Sequence, residues 1–359
     1  MTGPARQIRV LIVDDSVLTC RILSAAIASD PQLTVAGMAH TAAEALRQVD
    51  ILKPDFVTLD LFLGDTDGLA VTRQIMDRQP TPILLVTSVV SSGARALVLR
   101  ALACGALDVV DKASAVTKVQ LSSTTLLELT GRIKALAGAR VARPRGPAPS
   151  GRRQVPVVGG AGPRAGGAIV AIVASTGGPH ALAEIVRALP AGLSCGVVVV
   201  QHIAHGFVEQ LVGWLAEQGS MPVESAAAGA VVQAGRVYVA PSGVHMRIAP
   251  GGVIELTPEA GASLYQSSGD ILLSSVAEAY GRAAVGVILT GMGRDGTLGL
   301  QRVKALGGKA FAQDEASCVI FGMPKSAIEA GCVDAVLPLD QIASRIVREM
   351  STAPYQAAS

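Results

Sequence analysis

The sequence predicts an α/β protein built from two doubly wound parallel-sheet domains, and three observations predict it. Short β-branched runs alternate with longer amphipathic ones along most of the 359 residues. The alternation stops once, in a stretch rich in Gly, Pro, Ala and Arg where neither period is visible. Aromatic residues make up only 3% of the chain, so the cores must be close-packed Ala, Val, Leu and Gly, which suits helices laid on parallel strands. A chain of this length exceeds one ordinary core and suits two.

In the first half, strands are expected at Arg9–Val13, Leu33–Gly37, Phe56–Asp60, Ile83–Val86 and Leu107–Val110. Each leads into a helix: from Ser16, near Thr41–Leu52, after Gly68, around Ala94–Ala103 and about Thr117–Ala137. This bounds a first domain at residues 1–137. Residues 138–166, with Arg143-Pro-Arg-Gly-Pro and Gly151-Arg-Arg, read as a flexible linker. The second domain, residues 167–351, resumes with strand Ala168–Ala174, helix Pro179–Leu189, strand Val197–Gln201 and helix Phe207–Gln218. Tyr238–Ala240 is a short strand, and Met246–Ala249 with Val253–Leu256 flank Pro250-Gly-Gly, which predicts a β-hairpin inserted in the sheet's edge. Helix Ile271–Ala283, strand Val285–Thr290, helix Leu298–Leu306, strand Ala310–Gln313, helix Lys325–Ala330, strand Ala335–Leu337 and a terminal helix complete it. Residues 352–359 read as a disordered tail.

Composition excludes several classes. A formal charge of +2 leaves no case for a nucleic-acid surface, so partners are expected to be proteins. The five cysteines are odd in number, far apart and without a Cys-x-x-Cys pair, which argues against disulfides or structural zinc and for a cytoplasmic protein. Apolar runs such as Val10–Val13 and Val197–Val200 are strand length, too short for insertion in a membrane, and no secretory signal opens the chain.

Doubly wound sheets bind ligands beyond the carboxyl ends of their strands. In the first half, four strand ends deliver Asp14, Asp15, Asp60, Thr87 and Lys112 to that edge. Clustered carboxylates repel unless a cation joins them, and oxygen-only ligands point to Mg2+. Acids at strand ends also serve as helix N-caps, the alternative for Asp15 taken singly. Val13-Asp-Asp-Ser, Leu59-Asp60, Asp67-Gly68, Thr87-Ser88 and Asp111-Lys112 together resemble the two-component receiver domain over about the first 125 residues. The resemblance implies a flavodoxin-like fold with Asp60 as phosphoacceptor. It also implies Asp14 and Asp15 as metal-holding partners of Asp60, Thr87 and Lys112 as switch residues, and a histidine kinase as phosphodonor. The chain departs from that family at Leu63-Gly64 and at Lys112-Ala113, where Met-Pro and Lys-Pro are usual.

The second half carries its own chemistry. Strand Ala168–Ala174 runs into Ser175-Thr-Gly-Gly-Pro179, so Ser175 stands at a strand-to-helix turn whose glycines let a substrate approach and whose helix offers unpaired N–H groups. The next strand ends at His202, and a right-handed crossover sets consecutive parallel strands side by side. A third strand ends in Gly291-Met-Gly-Arg-Asp295-Gly. A serine hydroxyl needs a base, and the base needs an acid to fix its tautomer, which casts Ser175, His202 and Asp295 as a triad. Thr176 is an alternative nucleophile, read instead as a hydrogen-bonding neighbour; His245 is ambiguous, and Asp270 reads as the cap of its own helix.

Ser175-Thr-Gly-Gly-Pro, Gln201-His202, Gly206-Phe207, the segment from Ile288 to Gly296 and that from Gln313 to Pro324 resemble the protein-glutamate methylesterase domain of chemotaxis, from Ala168 to Glu349. The resemblance implies a Rossmann-like hydrolase acting on methylated chemoreceptors, with glutamine deamidation as a second activity and no cofactor for the ester step. It places Thr176 and Met292 in the oxyanion and substrate pocket. Ile203-Ala-His and Gln266-Ser-Ser-Gly depart from the family's usual Met-Pro-Pro and Arg-x-Pro-Ser-Val. A tether of roughly thirty residues would hold the receiver near the hydrolase at about millimolar effective concentration, so phosphorylation is expected to regulate access to Ser175.

Three other readings compete. Gly160-Ala-Gly162-Pro-Arg-Ala165 fits a dinucleotide-binding pattern but precedes its strand and lacks the following acid. A non-enzymatic response regulator would use the second half as a docking module. A transcriptional output domain would need a basic recognition helix, which the second half lacks.

Overall fold

The computed structural model describes residues 6–64, 66–88, 92–112, 123–139, 167–204, 206–258 and 267–352. The chain divides into two compact units, residues 1–150 and 151–359. The expected linker from residue 140 onward, the tail from 353, Ala113, the start of the helix expected at Thr117 and the Gly160 pattern lie outside the described residues.

The first unit alternates β1 (Ile8–Val13), α1 (Val17–Ala28), β2 (Leu33–Ala39), α2 (Ala42–Leu52) and β3 (Phe56–Leu59). A two-residue pair, β4 (Phe62–Leu63) and β5 (Thr66–Asp67), precedes α3 (Gly68–Arg78), β6 (Ile83–Thr87), α4 (Ser92–Ala103), β7 (Asp108–Asp111) and α5 (Ser123–Ala137). The sheet order is β2-β1-β3-β6-β7, parallel throughout, so the chain reverses direction across the sheet between β1 and β3. Phe56, Val57 and Leu59 are fully buried, as are Ile83, Leu84 and Leu85, because helices cover both faces of these central strands. Ser16 and Thr41 cap α1 and α2 by accepting from Thr19 and Glu44 backbone N–H groups.

The second unit opens with β8 (Ile169–Ala174), α6 (Gly178–Ala188), β9 (Gly196–Gln201) and α7 (Val208–Ala216). Short strands β10 (Val223–Ser225) and β11 (Val237–Val239) lead to the hairpin β12 (Val244–Ala249) and β13 (Val253–Pro258). Then come α8 (Gly269–Tyr280), β14 (Ala284–Ile288), α9 (Thr297–Ala305), β15 (Lys309–Gln313), α10 (Met323–Glu329), β16 (Ala335–Leu337) and α11 (Leu339–Thr352). Seven parallel strands lie in the order β10-β11-β9-β8-β14-β15-β16, with the topological switch between β8 and β14. The runs IVAIVA and GVVVVQ are buried at every position, as strands covered on both faces require.

The hairpin corrects one expectation. It is a separate antiparallel pair and no part of the large sheet's edge. Its inward residues Met246, Ile248 and Ile254 join the core formed by Leu272, Leu273 and Val276 of α8, burying the hairpin's apolar face on that helix. Strand β10 is only three residues long, too short to carry a visible period in the sequence. The last helix also runs through Thr352, the residue where the tail was expected to begin. No described helix is long and apolar enough to cross a membrane.

Candidate active site

Register builds the second unit's site. Ala174 of β8 pairs with Gln201 of β9, so Ser175 and His202, the next residues on each strand, emerge side by side at the carboxyl edge. His202 donates its backbone N–H to Ala174 O at 2.9 Å, and Ser175 donates its own to Thr290 O at 3.0 Å. Ser175 therefore sits over the switch point between β8 and β14, held by both neighbours. The turn after it closes through Gly178 N–H to Ser175 O at 2.8 Å. Gly177 adopts φ 78° there, and a Cβ would lie 2.7 Å from Val319 Cβ, so only glycine fits.

A Cβ on Gly291 would meet Met323 Sδ and stand 2.6 Å from Ser175 Cβ, which means the backbone leading to Met292 packs directly on the serine. Ser175 and Thr176 are buried, and Met292 is exposed. Thr290 Oγ1 donates to Thr176 O at 3.0 Å and accepts from Ile320 N at 3.0 Å, clamping the serine turn to the loop before α10.

His202 Nε2 lies 2.8 Å from Asp295 Oδ2. A carboxylate only accepts, so Nε2 carries the proton and the basic lone pair of the ring is on Nδ1. The His202 side chain is 5% exposed and that of Asp295 28% exposed, which keeps this bond out of bulk water. Asp295 accepts three further bonds: Gly269 N at 2.6 Å on Oδ2, and Asp270 N at 3.0 Å with Ser268 Oγ at 3.1 Å on Oδ1. It thus receives the open N–H groups of α8. Burial alone would raise its pKa, but the bond to and charge of His202, with the Gly269 and Asp270 N–H groups, outweigh burial and hold it at about 2.

A carboxyl depressed on folding stabilises fully above its unfolded value of 3.8, and that contribution is lost as the pH falls through about 2. At neutral pH it amounts to on the order of 2 kcal/mol. Asp295→Asn should consequently flatten the acid limb of thermal stability between about pH 4 and about pH 2 relative to the wild type. Parallel acid limbs in scanning calorimetry would contradict the linkage.

Asp270 differs from expectation. Ser268, not Asp270, caps α8, accepting from Ile271 N at 3.3 Å. Asp270 Oδ1 instead accepts Gly299 N at 2.9 Å, from the first turn of α9. The two helices exchange carboxylates: Asp295, just before α9, serves α8, and Asp270, in α8, serves α9. Burial raises the Asp270 pKa more than its N–H donors lower it.

Two buried glutamines, Gln201 and Gln313, have roles that the sequence alone does not assign. Gln201 Nε2 donates to Ser175 O at 2.7 Å and to His202 O at 2.8 Å, tying the two strand ends together. Gln313 Oε1 accepts Thr290 N at 2.8 Å and so holds the third. The signal was available: a glutamine closing an otherwise apolar buried strand has to bond something.

The first unit brings its predicted group together as well. Asp14, Asp15 and Asp60 each offer a carboxylate oxygen, all within 4.8 Å of one another. Lys112 Nζ lies 2.7 Å from Asp14 Oδ2 and also pairs with Asp60 Oδ2. Burial would lower the lysine's pKa, but its bonds to Asp14 and Asp60 raise it. Burial pushes the Asp14 carboxyl up despite the lysine. Thr87 ends β6, and its hydroxyl is fully buried without a hydrogen-bond partner among the described residues. An all-carboxylate set at the same sheet edge as an unsatisfied hydroxyl fits a hard divalent cation and a phosphoryl oxygen. Gly64, one of the departures from the receiver pattern, donates its N–H to Asp15 Oδ2 at 3.1 Å.

A five-stranded unit with acids at its switch point, followed by a Rossmann-like unit with Ser, His and Asp at its own, defines a class: a receiver domain joined to an α/β hydrolase domain. Family models agree, the response regulator receiver domain matching residues 10–122 and CheB methylesterase residues 170–346. Protein-glutamate methylesterase/protein-glutamine glutaminase 2 of Anaeromyxobacter dehalogenans (strain 2CP-C) is 40% identical over 357 residues, covering 98% of this chain and 99% of its own. The like-named protein of Symbiobacterium thermophilum is 39% identical over 353 residues, covering 96% and 97%. The crystal structure of the Thermotoga maritima CheB methylesterase catalytic domain is 39% identical and covers 51% of this chain and 98% of that one, with a TM-score of 0.49. The chain belongs to the protein-glutamate methylesterase/protein-glutamine glutaminase family.

Proposed function

We propose that this chain is a phosphorylation-regulated serine esterase of chemotaxis-type signalling, acting in the cytoplasm on glutamyl methyl esters of chemoreceptors and deamidating selected glutamines. The observation that carries the reading is the His202–Asp295 hydrogen bond of 2.8 Å at the edge where Ser175 emerges beside His202.

In this reading Ser175 Oγ attacks the ester carbonyl carbon while its proton passes to His202 Nδ1, the nitrogen left basic by the bond to Asp295. The carbonyl oxygen gathers negative charge near the Met292 backbone, and Thr176 lines the pocket beside it. Collapse breaks the bond to the methoxy oxygen, which takes the proton from His202 and leaves as methanol. Water then repeats the sequence on the acyl-serine, releasing glutamate and restoring Ser175. A glutamine side chain follows the same course with ammonia as the leaving group.

Regulation is assigned to the receiver, with Asp60 accepting a phosphoryl group from a histidine kinase. Asp14, Asp15 and Asp60 would hold Mg2+, which neutralises phosphoryl charge when bound. Lys112 would turn to the phosphoryl oxygens, exchanging carboxylate partners for phosphate ones, and the unsatisfied Thr87 hydroxyl would gain one.

Methanol release from methylated receptor membranes, with and without a small-molecule phosphodonor, tests both halves. The wild type should release methanol and do so faster with phosphodonor. Asp60→Asn should keep the basal rate and lose the response. No methanol from the wild type would end the esterase reading, and a full response from Asp60→Asn would place the acceptor elsewhere.

A further inference from the structure

Ser268, ahead of α8, joins a second histidine to Asp295. Ser268 donates its hydroxyl to Asp295 Oδ1 at 3.1 Å, while its backbone N–H is donated to Nδ1 of the half-buried His245 at 3.2 Å. Its neighbour Ser267, 8% exposed, donates its hydroxyl to Val244 O at 2.6 Å. Two adjacent bonds therefore pin the start of α8 to the start of β12. Further along the same helix, Ser275 Oγ accepts Ile248 N at 3.0 Å.

We propose that His245 and Ser268 are positioning residues for ester hydrolysis: the hairpin, through His245, fixes Ser268, and Ser268 fixes Asp295 and with it the ring of His202. This rests on the esterase reading for its consequence, though not for its geometry. The reason lies in how the carboxylate is held. Oδ2 takes His202 Nε2 and Gly269 N, while Oδ1 takes Ser268 Oγ and Asp270 N. Donors on Oδ1 stop the group pivoting about Oδ2, and that pivot would carry the His202 ring with it. Ser268 can donate from the right place only while its backbone is anchored, and the acceptor that anchors it is His245 Nδ1. The hairpin thereby gains a purpose that burying its apolar face on α8 does not explain: it braces the helix start that receives the acid.

Full-length variants decide it with two readouts, steady-state methanol release and the low-field NMR signal of the proton between His202 and Asp295. His245→Phe keeps the ring shape without the acceptor, and Ser268→Ala removes the donor. Each should lower kcat by about 10–100-fold, the scale of a misplaced catalytic group, with KM for methylated receptor unchanged. Each should also shift or broaden the bridging-proton signal. His245→Asn, whose side-chain oxygen can stand in for Nδ1, should restore both. An unchanged kcat and signal in Ser268→Ala would overturn the proposal, as would equal losses in His245→Asn and His245→Phe. Should His245→Phe fail to fold, Ser268→Ala carries the decision alone by the same two readouts. A wild type without esterase activity would sink the functional reading, and the proton signal would still judge the bracing chain.

Discussion

Ser175→Ala should abolish methanol release from methylated receptors while leaving the protein folded. No hydrogen bond of the Ser175 hydroxyl holds the fold together among the described residues. Ser175 N–H goes to Thr290 O, and its carbonyl accepts from Gly178 N and Gln201 Nε2, all of which alanine keeps. The Cβ that packs against Gly291 also remains. The melting temperature should therefore stay close to that of the wild type, because alanine keeps every one of these bonds. Turnover should fall by on the order of 10⁴-fold or more, because neither His202 nor Asp295 has an oxygen to activate once the nucleophile is gone. Methanol release and thermal unfolding, read on one preparation, separate the two effects. Near-normal turnover would move the nucleophile to Thr176, whose carbonyl accepts from Thr290 Oγ1.

The strand-end chemistry was legible because parallel strands put their carboxyl ends at one edge, so a residue following each apolar run is placed by topology alone. Asp14, Asp15, Asp60, Thr87 and Lys112 were found that way, as were Ser175 and His202. Asp295 lies seven residues beyond the end of β14 at Ile288, yet the two glycines around it read as a turn that could return a carboxylate to the edge. What the sequence did not reveal depends on contacts between elements distant in the chain. Asp270 reads as the cap of its own helix, and nothing local says that Gly299, 29 residues later, will take its side chain. The hairpin was legible as a hairpin, but its neighbour was not, because an alternating apolar face does not name the helix it will cover. Gln201 and Gln313 were visible as polar residues in buried strands, but their partners follow only from the strand order.

Asp295→Asn should be nearly as damaging as loss of the serine, and its loss should carry a different signature. The amide replaces one carboxylate oxygen by an NH2 group, and both oxygens are committed to two donors each. With NH2 in place of Oδ2, it faces His202 Nε2 and Gly269 N. His202 must then accept at Nε2 and carry its proton on Nδ1, so it has no basic nitrogen for Ser175. With NH2 in place of Oδ1, it faces Ser268 Oγ and Asp270 N; the serine hydroxyl can turn to accept, but the Asp270 N–H is left opposed and the start of α8 is strained. Neither orientation preserves the site. The wrong ring tautomer lowers turnover by about 10⁴-fold in a serine triad whose geometry is otherwise kept. Opposing a buried backbone donor costs a further ~1–3 kcal/mol of stability. The expected result is thus a large fall in kcat together with a lower melting temperature, in contrast to Ser175→Ala, where turnover falls and stability holds. Raising the pH should not rescue the variant, because the proton that blocks the base is fixed by the amide and not by titration. Recovery of turnover at high pH, or an unchanged melting temperature with near-normal kcat, would remove Asp295 from the role of orienting acid.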